Sequence, residues 1–531
     1  MISNRSAGIL LHISSLPGEY GIGTMGKEAY GFVRLLSRKN IRYWQILPLV
    51  QTGYGDSPYQ SVFSGSGNPY FIDFDILIKE GLLTENDVTG CKYEGNDIDY
   101  AFLYDKKYAV LRRAFSRFDC NSEEFTDFVK KGEFDEYALF MALKQSFDGK
   151  SFDKWPKEYK FSRKSYTDRF KKENYREYLF WQFVQYEFFR QWKALKKYAN
   201  DRNVYIIGDV PLYVAYDSAD VWRHPELFKL KSDLTAEKIA GVPPDYFSKT
   251  GQLWGNPVYR WSEHRKDGYS WWIERLRRSF ELYDVVRLDH FRGFDRYYEV
   301  DANSRTAERG VWRKGPASEL FEQTEKVLGK LNIIAEDLGV QDEGVRRLVA
   351  ETGFPRMKIT GFAFDGDPDN SYLPQHTEKN SVCYTGTHDN DTMLGYLTSL
   401  GKGEYGTFRK GVETTLEHYG IKGSLRTKKQ IVKEVIRLTL LSPSQLAVVP
   451  VQDILLLGNE ARMNLPGTVG QNWKFRLKRR LTGKELKEYS KTAKFYGRDK
   501  EEEREVKGKE AAGSAAAGSK GEKIWTEDEA G

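Results

Sequence analysis

Asp284-Val285-Val286-Arg287-Leu288-Asp289 is a short run of β-branched and aliphatic residues that ends in charged side chains. A continuous apolar run of this length is typical of a strand that is buried on both faces, as in a parallel sheet. Seven other runs share this pattern: Gly8–Ile13, Tyr43–Leu49, Val204–Val210, Asn332–Asp337, Met357–Phe362, Ser381–Asp389 and Leu446–Asp453. Because amphipathic helical patterns lie between the runs, the sequence predicts an α/β fold, a (β/α)8 TIM barrel.

Two intervals between the predicted strands are far longer than a simple crossover. Residues from about 80 to 203 contain several amphipathic stretches and are predicted to form a mainly helical insertion. Residues from about 211 to 270 are rich in Pro, Gly and aromatic side chains, which predicts a long ordered loop region at the C-terminal face of the strands. We expect the catalytic barrel to span residues 1–495. Residues 496–531 are charged and rich in Ala, Gly and Ser, which predicts a disordered tail.

The composition excludes several broad classes of protein. Hydrophobic residues make up 40% of the 531 residues, which is enough for a large core and excludes global disorder. The net charge of +6 is small, and we expect the densest basic cluster, at 474–480, to be a solvated helix face and not a nucleic-acid site. No apolar run of about 18 residues predicts a membrane span, and no secretory signal is visible. Three widely separated cysteines indicate a reducing compartment, so we expect a cytoplasmic protein.

Polar side chains follow most of the predicted strands. They are His12, Asp209, Arg287 with Asp289 and His290, Glu336 with Asp337, and His388 with Asp389. The C-terminal ends of the strands form one rim of a TIM barrel, where active sites lie, so we expect these side chains to converge. Carboxylates are costly to remove from water, which makes them candidates for function. Paired carboxylates suit glycosidic bond cleavage, in which one attacks the anomeric carbon and the other protonates the leaving oxygen.

The charge of Asp289 has a candidate partner on the same strand. Arg287 and Asp289 are two residues apart and therefore share a face of a strand, where the cation would favour the ionised carboxylate that a nucleophile needs. A structural ion pair at a strand end explains the same spacing equally well. A rival hypothesis for His388-Asp389-Asn390-Asp391 is a divalent metal site, although no second cluster of His ligands is visible.

Several longer motifs resemble one enzyme family. They are Arg287-Leu288-Asp289-His290-Phe291-Arg292-Gly293-Phe294, Ala335-Glu336-Asp337-Leu338-Gly339, Thr387-His388-Asp389-Asn390-Asp391, Gly55-Asp56-Ser57-Pro58-Tyr59, Gly208-Asp209-Val210-Pro211, Gly251-Gln252-Leu253-Trp254-Gly255-Asn256-Pro257 and Asn464-Leu465-Pro466-Gly467-Thr468. In content and order they resemble the amylomaltases, the 4-α-glucanotransferases of glycoside hydrolase family 77. The resemblance covers residues from about 5 to 480.

The resemblance implies an enzyme that transfers α-1,4-glucan segments between maltooligosaccharides or starch-type glucans and a sugar acceptor by a retaining double displacement, with no metal or organic cofactor. It implies Asp289 as nucleophile, Glu336 as general acid/base and Asp389 as transition-state stabiliser. Arg287 and His388 match supporting residues. The motifs that line the family's substrate groove contain Tyr54, Tyr59, Asp209, Trp254 and Asn464.

Three other functions stay open at this point. The first is an α-glucan hydrolase on the same barrel, which would differ only in using water as the acceptor. The second is a non-catalytic glucan-binding protein, which would be expected to lack one of the three carboxylates, and none is missing. The third is a metal-dependent hydrolase, which a chelator would inactivate.

Overall fold

The computed structural model describes residues 5–53, 55–244, 248–339 and 342–499. The strands in these residues are β1 (Ser6–Leu10), β2 (Tyr43–Gln45), β3 (Tyr205–Val210), β4 (Lys238–Val242), β5 (Gln252–Pro257), β6 (Val285–Leu288), β7 (Arg296–Asp301), β8 (Val311–Lys314), β9 (Ile333–Ala335), β10 (Arg356–Ile359), β11 (Ser381–Tyr384) and β12 (Leu446–Pro450). Eight of them close a parallel barrel in the order β1-β12-β11-β10-β9-β6-β3-β2. Each of the eight predicted runs contributes one barrel strand, so the predicted (β/α)8 barrel is confirmed.

Side-chain alternation explains why the strand sequences are apolar throughout. On β6, Val285 belongs to a cluster that fills the barrel, whereas Val286 belongs to the main core outside it. On β9, Ile334 and Ile333 divide in the same way. Successive strand residues point to opposite faces, and here both faces are covered, so most strand positions favour apolar residues. Arg287 and Asp209 are buried exceptions, and they pair with each other.

Helices surround the barrel and fill the longer intervals. In the described residues they are α1 (Lys27–Arg38), α2 (Phe74–Lys79), α3 (Glu85–Val88), α4 (Tyr100–Arg117), α5 (Glu123–Lys130), α6 (Asp135–Ser146), α7 (Lys157–Lys160), α8 (Lys164–Glu173), α9 (Tyr175–Asn200), α10 (Ala219–Arg223), α11 (Trp261–Lys266), α12 (Ser270–Leu282), α13 (Arg292–Asp295), α14 (Ser318–Leu328), α15 (Glu343–Thr352), α16 (Met393–Ser399), α17 (Lys402–His418), α18 (Lys428–Leu441), α19 (Val451–Ile454) and α20 (Lys487–Phe495). The interval between β2 and β3 holds α2 to α9. No helix in the described part of the chain is long and apolar enough to cross a membrane.

A second sheet, which the sequence did not predict, stands beside the barrel rim. It is antiparallel with the order β5-β4-β7-β8. Two of its strands lie within residues 211–270, so the prediction of a long loop there is corrected. Glycine and proline in this stretch obscured the residue pattern that is typical of a strand. A Cβ atom at Gly241 would come within 2.3 Å of the Gln252 carbonyl oxygen on the neighbouring strand. Close backbone approach requires glycine at this position, although glycine in isolation indicates a turn.

Two smaller predictions also need correction. Arg498 is fully buried and donates hydrogen bonds to the carbonyls of Ser6 at 2.9 Å and Ser442 at 2.8 Å, so packed structure extends past the predicted boundary at 495. The predicted tail from 500 to 531 lies outside the described residues. The basic cluster at 474–480 forms no helix, because Arg476 donates to the Gly18 carbonyl and Arg480 pairs with Glu28 at 2.9 Å.

Candidate active site

Two candidate carboxylates lie on neighbouring strands of the barrel. In the register of β6 and β9, Leu288 is opposite Ala335, so the next residues, Asp289 and Glu336, face each other at the rim. The Glu336 amide donates to the Leu288 carbonyl at 3.1 Å, which carries the pairing to the strand ends. Adjacent strands lie about 4.8 Å apart. The barrel topology therefore brings together two carboxylates that are 47 residues apart in the sequence.

Arg287 holds two carboxylates at once. Its Nη1 atom lies 2.7 and 2.8 Å from the two carboxylate oxygens of Asp209 and 2.9 Å from Asp289 Oδ1. Burial alone would lower the pKa of Arg287, but the charges of Asp209 and Asp289 raise it well above its ordinary value. The Asp209 side chain is completely buried, whereas that of Asp289 is 28% exposed. Asp209 is therefore the structural partner, and Asp289 is the carboxylate that a ligand can reach.

Glu336 is held by the backbone that follows each strand. Its Oε2 atom accepts from the His290 amide at 2.7 Å, and its Oε1 atom accepts from the Leu338 amide at 3.0 Å. His290 adopts a left-handed backbone with φ of 52°, unusual for a residue other than glycine, and its amide is directed at Glu336. Burial raises the pKa of Glu336 to about 8, and the charge of Asp289 adds to the rise against the opposing effect of Arg287. At neutral pH, Glu336 is therefore mostly protonated.

Asp389 is joined to the other carboxylates by a chain of contacts. Its Oδ1 atom accepts from Asn464 Nδ2 at 2.6 Å and lies 3.4 Å from Nε2 of His388. The His388 ring stacks on Tyr59, with centroids 5.1 Å apart and planes 17° apart. The Tyr59 hydroxyl donates to Asp209 Oδ2 at 2.9 Å. These contacts bring the ends of β3, β6 and β11 to one place, together with the segments that carry Tyr59 and Asn464.

Of the two remaining predicted groove residues, Trp254 lies within the described residues and Tyr54 does not. Trp254 lies on β5, half-buried, with its ring edge-on to His290 at a centroid distance of 4.9 Å. It therefore connects the second sheet to the residue that follows Asp289. Tyr54 lies outside the described residues. So do Tyr246 and Phe247, in the stretch from 241 to 257 whose aromatic side chains we expect to face an acceptor sugar.

Two strand-end residues have structural partners. His12 is buried and its Nδ1 atom accepts from the Leu47 amide at 3.2 Å, and burial lowers its pKa to about 3. Asp337 is fully buried and pairs with Arg356 at 2.6 Å. Glu336 and Asp337 are successive residues, so they point to opposite faces, and only Glu336 is directed at the rim.

Sequence reasoning missed two residues that contact this site. Trp473 packs against Tyr59 and His388, with ring centroids 5.7 and 5.9 Å away. Arg462 donates to the Asp389 carbonyl at 2.7 Å. The only sequence signal for Arg462 was its place two residues before Asn464, which does not reveal its contact with the loop that follows β11. In the described ranges, no group of three or more His, Cys, Asp or Glu side chains is arranged to hold a metal ion.

Comparison with known proteins gives consistent results. Residues 11–482 match the family model described as 4-alpha-glucanotransferase. A 4-alpha-glucanotransferase from Clostridium butyricum is 45% identical over 495 residues, which cover 92% of this chain and all of that protein. One from Thermus thermophilus is 42% identical, over 89% of this chain and 95% of that protein. The solved structure of an amylomaltase from Streptococcus agalactiae in complex with acarbose superposes with a TM-score of 0.87 at 38% identity, covering 93% of this chain and 99% of that one.

Proposed function

The chain belongs to the 4-α-glucanotransferases of glycoside hydrolase family 77, the amylomaltases, and from that premise we propose how its own residues carry out the transfer. The reaction moves α-1,4-glucan segments from a maltooligosaccharide or starch-type donor to a sugar acceptor with retention. We propose that Asp289 is the nucleophile, Glu336 the general acid/base and Asp389 the transition-state stabiliser.

In the first half of the reaction, Asp289 attacks C1 of a glucosyl unit. The C1–O4 bond to the departing chain breaks, and Glu336 gives its proton to that oxygen. The contact of Asp289 with Arg287, at 2.9 Å, supports its role because the cation stabilises the ionised carboxylate. The result is a covalent glycosyl ester on Asp289 and a deprotonated Glu336.

In the second half, a sugar replaces the chain that left. Glu336 takes the proton of the incoming 4-hydroxyl, whose oxygen attacks C1 and displaces Asp289. Two inversions at C1 give net retention. The protein ends in its starting state, with Glu336 protonated and Asp289 free. Because the acceptor is a sugar and not water, the number of glucan chains is conserved.

Asp389 and its neighbours suit a role in holding the reacting sugar. Its side chain is 41% exposed at the rim and accepts from Asn464 at 2.6 Å. A carboxylate in this position can accept hydrogen bonds from the sugar hydroxyls beside C1, and such bonds strengthen in the transition state. We assign His388, Tyr59 and Asn464 to sugar binding, and we assign Trp254 and Tyr54 to the groove on the strength of their motifs.

The single observation that carries this assignment is the pairing of Asp289 with Glu336 across β6 and β9. Retaining enzymes hold their two carboxyl groups about 5–5.5 Å apart, whereas inverting enzymes need about 6.5–9.5 Å to admit a water. Because Asp289 and Glu336 follow neighbouring strands, about 4.8 Å apart, their carboxyl groups can act on the same glycosidic bond. Because its pKa is raised to about 8, Glu336 is mostly protonated at neutral pH and can supply the proton that the leaving oxygen needs.

The test of the reaction is incubation with maltotriose followed by product sizing and a reducing-end assay. Transfer should give glucose and longer oligosaccharides with almost no increase in reducing ends, because each cut is followed by a new linkage. A hydrolase on the same barrel would add one reducing end for each cut. A non-catalytic glucan-binding protein would leave maltotriose unchanged.

We also propose a cytoplasmic location. Cys91, Cys120 and Cys383 are all free thiols in the structure, and Cys91 and Cys383 are buried. Free thiols are typical of proteins that remain in a reducing compartment.

A further inference from the structure

Two segments meet behind the Asp389 carboxylate. One is the catalytic loop, 387–391, which follows β11. The other is the segment 462–464. The Asn464 amide donates to the His388 carbonyl at 3.1 Å, and the Asn464 side chain donates to Asp389 Oδ1 at 2.6 Å. The position of Asp389 therefore depends on a segment more than 70 residues away in the sequence.

Arg462 joins these two segments with three hydrogen bonds. Its Nη2 atom donates to the Asp389 carbonyl at 2.7 Å, and its Nε atom donates to the Asn464 carbonyl at 2.7 Å. Its Nη1 atom donates to Asp391 Oδ1. The Arg462 side chain is 21% exposed, so part of it is shielded from water behind the loop. Each of the three guanidinium nitrogens donates to a different acceptor, and two of the acceptors are main-chain atoms.

We propose that Arg462 is a positioning residue for glucan transfer, fixing Asp389 and Asn464 in one geometry so that their side chains bind the same sugar. This proposal rests on the assignment of Asp389 to transition-state stabilisation. Arg462 acts through Asp389, since its three described hydrogen bonds go to the loop 387–391 and to the Asn464 carbonyl. Its loss leaves the nucleophile and the acid/base in place and moves only the carboxylate that stabilises the transition state.

The chemistry of arginine explains why this position suits it. A guanidinium presents donors in a rigid fork and can bridge three acceptors at fixed angles, whereas a lysine ammonium is a point charge on a flexible stem. The few other contacts of Asp389 do not replace this fork. Its amide donates to Thr387 Oγ1 at 3.3 Å within the same loop. Without Arg462, the remaining hydrogen bond in the described residues from the segment 462–464 to Asp389 would be the one from the Asn464 side chain.

The first test compares Arg462→Lys and Arg462→Gln with wild type on maltotriose. A displacement of about 1 Å in a catalytic group costs about 100-fold in rate. We expect kcat to fall by about 10- to 100-fold in both variants, with KM changing much less, because the lost interaction belongs to the transition state. Arg479→Gln is the matched control: Arg479 is 71% exposed and its described partners are Glu485 and the carbonyl of the neighbouring Arg480, so the kcat of this variant should stay at the wild-type value.

The decisive measurement is a double-variant cycle with Asp389→Asn. If Arg462 acts through Asp389, adding Arg462→Lys to Asp389→Asn should change kcat little, because the group being positioned is already disabled. If Arg462 only supports the fold, the two losses should multiply and the melting temperature should fall with them. Multiplied losses, or an Arg462→Lys variant with wild-type kcat, would overturn the proposal.

The activity of Asp389→Asn by itself tests the role assigned to Asp389, independently of Arg462. Asp389→Asn alone should lose most activity if Asp389 stabilises the transition state. Wild-type activity in that variant would refute the role of Asp389 itself. Should Arg462→Gln fail to fold, Asp391→Ala removes one of the three acceptors and should lower kcat in the same direction by a smaller factor.

Discussion

Glu336→Gln is the substitution that most directly tests the proposed chemistry. The amide keeps the size of the side chain but has no acidic proton, so the departing oxygen of a maltooligosaccharide would leave as an unprotonated alkoxide. General acid catalysis contributes about 10²–10⁴-fold. We therefore expect turnover of maltotriose to fall by that factor, with donor binding largely retained.

The structure sets the pH range in which wild type should depend on this proton. With a pKa raised to about 8, mainly by burial, Glu336 is mostly protonated at pH 7, whereas an ordinary glutamate carboxyl is almost fully ionised there. Because the active form is protonated, kcat/KM on maltotriose should be high below pH 8 and should fall as the pH rises, by about 10-fold at pH 9.

The assay compares two donors whose leaving groups differ in their need for a proton. α-Glucosyl fluoride loses fluoride with little need for protonation, so the first turnover of Glu336→Gln should release fluoride at close to the wild-type rate. The decline above pH 8 should also be absent with this donor. Glu343→Gln is the matched control, because Glu343 is an exposed glutamate in the first turn of α15 and should behave as wild type.

Two results would refute the reasoning. An equal loss of activity on fluoride and on maltotriose would mean that Glu336 does not act as the acid. A wild-type profile on maltotriose that stays flat between pH 7 and pH 9 would mean that burial does not hold the proton on Glu336 in the range that the structure indicates.

Two further predictions concern other parts of the site. Asp289→Asn should abolish transfer on every donor while leaving glucan binding intact, because the amide cannot form the glycosyl ester; a residual rate above about one part in a thousand, measured by product sizing, would exclude Asp289 as nucleophile. Trp254→Ala should lower transfer and raise the hydrolytic share of reducing ends, because its ring offers an apolar face to the acceptor sugar and helps to exclude water. The control is Trp312→Ala, on β8 at the far edge of the same sheet, which should leave the ratio of hydrolysis to transfer unchanged. If transfer and hydrolysis fell in proportion in Trp254→Ala, the ring would only support β5.

Particular elements show why some of the fold was visible in the sequence and some was not. The barrel strands were predictable because burial on both faces leaves a continuous apolar run, as in Val285 and Val286. The second sheet was not predicted, in part because β4 contains Gly241, whose role is visible only beside the neighbouring strand β5. The buried Arg498 was likewise hidden in a charged stretch, since its acceptors are carbonyls of Ser6, Leu440 and Ser442.

The sequence alone determined which side chains stand at the strand ends, because a strand that leaves the apolar interior must meet water or a ligand there. It also determined the family, through motifs whose order reflects the barrel. Only the tertiary structure decided which partners these residues have. Arg287 could have paired with Asp289 alone, but β3 places Asp209 beside it. The family resemblance singled out Glu336 and not Asp337, and the barrel shows how the two differ: Asp337 is buried against Arg356, whereas Glu336 accepts from the His290 amide next to Asp289. Long-range packing sets dielectric and distance, and these fix the protonation of a carboxyl group, which no local pattern of residues encodes.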